Sequence, residues 1–173
     1  WVFWNNMNPN DLILSSSNWD EFFESLSALV KTKDKGDAFE RFTQLYLQTA
    51  PKYRLLLKKV WKPDVDFGID FLAETYDKQT WSIQSKFRSD SDSALTYKEL
   101  STFKTISDNS ENIDFCLVAH TSTKPIKNLH LLGENISTLG IDEFESIDSE
   151  LWELIQAAAE GVQKKLQHMF AFQ

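Results

Sequence analysis

The feature that most constrains the fold of this 173-residue chain is a run of five apolar residues, Phe-Cys-Leu-Val-Ala, at positions 115–119. Both alternating faces of the run are apolar, which is typical of a strand that is covered on both faces of its sheet. Helical patterns on either side of the run in the sequence can provide that cover. The predicted order of elements is α, α, β, β, β, α, β, α, β, α. We therefore expect an α/β fold in which helices flank a mixed central β-sheet.

Three helices are predicted from apolar residues at helical spacing. The first covers residues 19–30 and follows Asn18, which forms a capping pair with Glu21. After a charged break at residues 31–36, the second helix begins at Asp37 and ends at Pro51. The third closes the chain at residues 148–170. Shorter elements are expected as strands at 59–61 and 136–139 and as helices at 96–107 and 127–133.

Two strand-like segments, at residues 69–75 and 80–88, are joined by Tyr-Asp-Lys-Gln, whose length and composition suit a hairpin loop. Polar residues alternate along the second segment, so that Gln84 and Lys86 lie on one face. Asp70 lies near the start of the first segment, and hairpin pairing can bring it beside them. The pattern therefore places a carboxylate, an amide and an ammonium group in one small volume.

The net charge of −8 argues against nucleic-acid binding, but the basic residues are unevenly distributed. Residues 31–62 hold nine Lys or Arg against three Asp or Glu, a balance of 9 − 3 = +6. Such a cluster is either a phosphate-binding surface or an ordinary solvated one.

Two features of the sequence indicate a cytoplasmic protein. The single cysteine, Cys116, cannot form a disulfide within the chain, which suits a reducing compartment. No apolar run approaches the roughly 20 residues that a membrane-spanning helix needs. We therefore expect no membrane partner.

Several common catalytic motifs do not occur in the sequence, among them the Gly-rich phosphate loop, the Ser nucleophile elbow and the His spacing of a zinc site. The remaining candidates are Asp70, Gln84 and Lys86, together with Glu40 on the second predicted helix.

These candidates lie in motifs that resemble the PD-(D/E)xK nuclease superfamily, and within it the Mrr-like branch, in which Gln commonly replaces the last acidic residue. The motifs are Gly-Asp-Ala-Phe-Glu at 36–40, Gly-Ile-Asp at 68–70 and Gln-Ser-Lys at 84–86. The sequence is most similar to the N-terminal nuclease domain of type ISP restriction-modification enzymes, which are large single-chain, ATP-dependent proteins. The likeness covers about residues 36–147.

The resemblance implies a restriction-type endonuclease that depends on Mg²⁺, with Mn²⁺ as a substitute. It makes Asp70 the central metal ligand, Gln84 a ligand or a water-positioning group, and Glu40 a direct or indirect ligand. Lys86 would orient or activate the attacking water.

Two further points concern residues around these motifs. Pro63-Asp64 also spells the superfamily's dipeptide, but the Gly-Ile-Asp match favours Asp70 and leaves Asp64 and Asp66 as loop residues that assist or have no role. Basic residues near the motifs are candidate contacts to double-stranded DNA or ordinary surface charges: Lys58, Lys59, Lys62, Arg88, Lys98 and Lys104.

We expect residues 1–173 to form a single nuclease domain of a larger bacterial protein. Helicase, methyltransferase and target-recognition domains would complete that protein, and ATP would act only through the helicase. Two alternatives stay open. One is a catalytically silent nucleic-acid-binding or scaffold module, which the neutral Gln84 and the acidic net charge favour; the other is a structure-specific resolvase, which dimer formation would favour.

Overall fold

The computed structural model describes residues 7–65 and 67–171. In that part of the chain, strands form a mixed sheet in the order β1 (Leu57–Trp61), β2 (Phe71–Thr75), β3 (Thr80–Lys86), β4 (Phe115–His120) and β5 (Ile136–Leu139). The first three strands pair antiparallel, and β3, β4 and β5 pair parallel. The expected α/β fold with a mixed central sheet is confirmed.

The helices are α1 (Pro9–Ser15), α2 (Trp19–Ser27), α3 (Thr32–Thr49), α4 (Pro51–Leu56), α5 (Ser101–Asp108), α6 (Ile141–Glu145) and α7 (Ser149–Ala171). Short 3-10 turns occupy Tyr97–Leu100 and Leu129–Leu132. The helices α1, α4 and α6 were not predicted, and each is at most seven residues long. Within the described residues, every helix is too short or too polar to span a bilayer.

Helix α3 begins earlier than the sequence pattern predicts. The expected break at residues 31–36 is wrong, because the helix starts at Thr32. Lys33 and Asp37, one turn apart, form an ion pair with 2.6 Å between Nζ and Oδ2, which supports the first turns. Gly36 is accommodated within the helix, where an added Cβ would meet no atom within 4 Å. Lys33 and Lys35 of the expected break therefore lie on the helix, and Lys31 precedes it.

The sheet separates two apolar layers. The larger layer lies under α1, α2, α3, α6 and α7 and centres on an aromatic cluster of Trp19, Phe22, Phe42, Phe144 and Trp152. The smaller layer lies under α5 and the 3-10 turns. Cys116 and Val118 face the smaller layer, whereas Leu117 and Ala119 face the larger one, as the apolar run predicts.

One backbone carbonyl links α1 and α7, which are far apart in the sequence but both pack in the larger layer. The Ser16 carbonyl, just after α1, accepts hydrogen bonds from Trp152 Nε1 and Gln156 Nε2, each at 2.8 Å. Both donors belong to α7. These bonds hold α1 against α7. Both helices also pack on α3, which carries Glu40.

Candidate active site

Asp70 enters the sheet through a tight turn at Gly68. Gly68 has φ +93°, a backbone conformation that side chains with a Cβ rarely adopt. An added Cβ would also lie 2.8 Å from Ile106 Cδ1. After this turn the Asp70 amide donates to the Ile83 carbonyl at 3.1 Å, which attaches Asp70 to β3 one residue before β2 begins.

The Asp70 carboxylate is held by Ser85. One carboxylate oxygen accepts from the Ser85 amide at 2.7 Å and from the Ser85 hydroxyl at 3.1 Å. Ser85 stands between Gln84 and Lys86 on β3, so these hydrogen bonds attach Asp70 to that part of the strand. Burial raises the pKa of Asp70, whereas the Ser85 hydrogen bonds and the charges of Lys86 and Lys62 lower it; the net direction is upward.

Glu40 reaches the same site from α3. It lines with Asp70 a cleft of about 340 Å³, which we call the Glu40–Asp70 cleft and which Lys33, Asp37, Lys62, Pro63, Asp64, Val65 and Ile69 complete. Glu40 Oε1 accepts from Lys62 Nζ at 2.8 Å. Burial raises the pKa of Glu40, Lys62 opposes that rise, and the nearby Asp70 charge adds to it. The cleft therefore contains two carboxylates whose pKa values are both raised, mainly by burial.

Gln84 contributes an oxygen without a donor. Its Oε1 is buried and accepts no hydrogen bond from the residues that the structure describes. Such an acceptor is uncommon, because a buried polar atom without a partner costs about 1–3 kcal/mol. Gln84 is the β3 neighbour of Ser85, to which the Asp70 carboxylate is bound.

The donor set suits a hard divalent cation. Two carboxylates and one amide oxygen are the ligand types that Mg²⁺ accepts, with water completing its coordination. Across residues 7–65 and 67–161, no three His, Cys, Asp or Glu side chains gather into a metal-binding group. The oxygens that the candidate residues offer are therefore those of two acidic side chains, Glu40 and Asp70, and of the neutral Gln84 on β3.

Lys86 follows Ser85 at the end of β3. It lines a neighbouring cleft of about 310 Å³ with Ser85, Arg88 and the first turns of α3, including Lys35. The Lys86 charge still acts on the Asp70 carboxylate. The structure thus places Asp70 and Glu40 in one cleft and Lys86 in another, rather than in the single cleft that the hairpin pattern suggests. Gln84 lines neither of these clefts and lies on β3 between Ile83 and Ser85.

The candidate DNA-contacting residues fall into two groups. Lys62 is paired with Glu40, Lys59 with Glu74 at 3.7 Å and Arg88 with Glu99. Lys58 and Lys98 are exposed, and no described acidic side chain lies within ion-pair distance of either. The further candidate Lys104 is wrong as a phosphate contact, because it is buried and bound to Asp108 at 2.6 Å.

Three residues at this site were not predicted from the sequence: Ser85, Lys33 and Lys35. Alternation places Ser85 on the apolar face of its strand, although its amide and hydroxyl hold Asp70. The two lysines fall in the expected charged break, and the i,i+4 spacing of Lys33 and Asp37 was the signal that could have placed them on a helix. Asp64 lines the Glu40–Asp70 cleft, and Asp66 lies outside the described residues.

A mixed sheet whose hairpin carries Asp70, Gln84 and Lys86, beside a helix that carries Glu40, is the arrangement expected for a domain of the PD-(D/E)xK nuclease class. The chain belongs to the Mrr-like restriction endonuclease family, whose profile matches residues 48–161, more than half of its length. The match covers Asp70, Gln84 and Lys86 but begins after Glu40.

A solved structure gives the same fold. The chain is similar to the ATP-dependent type ISP restriction-modification enzyme LlaBIII, solved bound to DNA, with a TM-score of 0.56 and 21% sequence identity. The similarity covers 76% of this chain and 8% of that one. Comparison with curated proteins gives no match.

Proposed function

We propose that this domain hydrolyses phosphodiester bonds of double-stranded DNA, with Mg²⁺ held by Asp70, Glu40 and Gln84. Membership of the restriction endonuclease family supports the reaction class. The residue assignment rests above all on the buried, unpartnered Oε1 of Gln84 next to the serine that holds Asp70. A cation bound by these three residues would give that oxygen its partner and would offset the negative charge of Asp70 and Glu40.

The bound metal would supply positive charge to the phosphate and lower the pKa of a coordinated water. The chain's own residues would fix the geometry. Ser85 holds the Asp70 carboxylate in one orientation. The turn at Gly68 fixes the point at which Asp70 joins β3 of the hairpin. Lys86 would place its ammonium group against the negative charge that develops on the attacked phosphate and would orient the attacking water.

DNA would lie across the two clefts. Lys58 and Lys98 are free for phosphate contacts, whereas Lys59, Lys62 and Arg88 would exchange an acidic partner for a phosphate. Cleavage by this domain would be independent of sequence.

We further propose that residues 1–173 form one nuclease domain of a larger cytoplasmic bacterial restriction-modification protein. In it, ATP would act through a helicase, and methyltransferase and target-recognition domains would choose the site. The similarity to LlaBIII, an ATP-dependent enzyme solved bound to DNA, supports this context. Mn²⁺ would replace Mg²⁺ in the same ligand set.

A plasmid-nicking assay over a Mg²⁺ titration tests the proposal. Asp70→Ala should abolish nicking, whereas Asp37→Ala, which removes another carboxylate of the same cleft, should not. Gln84→Glu should retain some activity and bind metal more tightly, because it keeps an oxygen at this position and adds a negative charge, whereas Gln84→Ala should lose both activity and metal binding. Melting temperatures serve as the folding control.

Two results would contradict the proposal in different ways. Nicking that survives Asp70→Ala with the same Mg²⁺ dependence would place the active site elsewhere. A wild-type chain that binds DNA but neither nicks it nor binds Mn²⁺ would be a silent binding or scaffold module. A preference for branched over linear DNA would instead indicate a resolvase.

A further inference from the structure

Lys62 spans the boundary between solvent and the buried carboxylates. It directly follows β1, and its Nζ lies 2.8 Å from Glu40 Oε1. The Lys62 side chain is 69% exposed, whereas that of Glu40 is 17% exposed. The lysine therefore reaches inward from the rim of the cleft and covers a carboxylate that solvent hardly reaches.

The charges in the cleft give this ion pair a particular role. The acidic side chains that line the cleft are Asp37, Glu40, Asp64 and Asp70, and the basic ones are Lys33 and Lys62. Lys33 is bound to Asp37 at 2.6 Å. Lys62 acts on both Glu40 and Asp70. In the domain as described, Lys62 thus supplies at Glu40 the positive charge that a metal ion would supply.

A divalent cation and the Lys62 ammonium group therefore compete for Glu40. Once Glu40 binds the cation, the ammonium group loses its partner and is repelled by the new charge. It already lies on the exposed rim, where the phosphates of a DNA backbone would be its natural new partners.

We propose that Lys62 couples metal binding to DNA binding: it holds Glu40 in the absence of metal and turns to a DNA phosphate when Glu40 takes up the cation. Metal then strengthens DNA binding, and by linkage DNA strengthens metal binding by the same factor. This inference rests on the proposed function, because it takes Glu40 as a metal ligand and DNA as the substrate.

The first measurement is Mn²⁺ binding to the 173-residue chain by calorimetry, without DNA. Lys62→Met removes the competitor and should bind Mn²⁺ about two- to fivefold more tightly than wild type, the range expected for a partly exposed ion pair. Lys62→Arg should behave like wild type. The matched control is Lys59→Met, which also breaks a lysine–glutamate pair of β1, with Glu74, about 13 Å along β2 from Asp70; its Mn²⁺ affinity should not change.

The second measurement is the affinity for a fluorescein-labelled duplex, with EDTA and with Ca²⁺, which also prefers oxygen ligands; a gel confirms that the duplex stays intact. The wild-type ratio of the two affinities should exceed the Lys62→Met ratio by about two- to fivefold. Comparison of ratios removes the general screening of DNA by Ca²⁺.

Unchanged or weaker Mn²⁺ binding by Lys62→Met, with a normal melting temperature, would overturn the coupling. Equal Ca²⁺ ratios in wild type and Lys62→Met would do the same. Failure of wild type to bind Mn²⁺, or binding that survives Asp70→Ala, would instead refute the metal site and with it the proposed function.

Discussion

The charged Glu40 carboxylate should lower the stability of the folded protein. Its neutral isostere in Glu40→Gln should therefore stabilise the fold, while it weakens the proposed metal binding. Burial and the neighbouring Asp70 raise the pKa of Glu40 despite the Lys62 ion pair. A raised pKa means that the folded state prefers the uncharged carboxyl group. Glu40→Gln keeps the shape of the side chain and removes the charge, and at neutral pH it should therefore raise the melting temperature.

The magnitude follows from opposing contributions. Removal of the Lys62 pair would cost about 0.2–1 kcal/mol. Relief of desolvation and of repulsion by Asp70 outweighs this cost, because the net shift of the Glu40 pKa is upward. Single stabilising substitutions commonly gain roughly 0.5–2 kcal/mol, and we take this range for Glu40→Gln. For a chain of this size, each kcal/mol is worth about 2–4 °C, so we expect an increase of about 1–8 °C.

Thermal unfolding by circular dichroism at several pH values would measure the effect. The sign is fixed: the folded pKa lies above the ordinary 4.5, so the advantage of Glu40→Gln is complete above the folded pKa and disappears as the pH falls below 4.5. Asp37→Asn, whose pair with Lys33 is exposed, is the control and should change little. A Glu40→Gln melting temperature equal to or below that of wild type at neutral pH would refute the reasoning, as would a gain that persists in acid.

Three further predictions concern the metal, the basic strand and the turn. Mn²⁺ at about 100 times its dissociation constant should stabilise wild type by about 2.7 kcal/mol, visible as a higher melting temperature, and should not stabilise Asp70→Asn; an equal shift in both would place the ion elsewhere. Charge reversal at Lys58 and Lys59 should weaken DNA binding and lower the slope of log affinity against log salt by about 0.9 for each phosphate that is no longer neutralised; an unchanged slope would mean that these lysines only face solvent. Gly68→Ala should lower the free energy of unfolding by about 1–2 kcal/mol, because Gly68 has positive φ. Gly36→Ala should raise it by about 0.5–1 kcal/mol, because Gly36 lies within a helix. Urea titrations that reverse this order would contradict the assignment of the turn and the helix.

The hairpin and the buried strand were predictable because alternation of side chains reports directly on burial. Residues 69–75 and 80–88 contain β2 and β3, and the apolar run at 115–119 lies in β4. The position of Asp70 beside Gln84 and Lys86 follows from that pairing. The two clefts were not predictable, because alternation reports the sheet face of a side chain but not which part of α3 packs over it: Asp70 lines a cleft with Glu40, whereas Lys86 lines another with the first turns of the same helix.

Other failures have different physical causes. The start of α3 was missed because Gly36 and Asp37 indicate a turn locally, and the Lys33–Asp37 pair that stabilises the helix becomes apparent only at helical spacing. Helix α1 is too short to show an apolar period, and its packing against α7 depends on residues more than 130 positions away. The Lys104 side chain is charged but buried, and the sequence pattern does not indicate this burial. The buried position tolerates the charge because Lys104 pairs with Asp108, one turn further along α5.

The bonds at the Ser16 carbonyl bear on how the chain folds during its synthesis. Trp152 and Gln156 are 136 and 140 residues downstream of their shared acceptor. A nascent chain that has left the ribosome as far as β5 contains every strand of the sheet described above, but the indole and amide donors that tie down α1 are still inside the exit tunnel. Helix α3, which carries Glu40, therefore lacks its contacts with α7 until α7 has emerged. Trp152 is almost fully buried once α7 has docked, so burial of its indole marks the completion of these contacts.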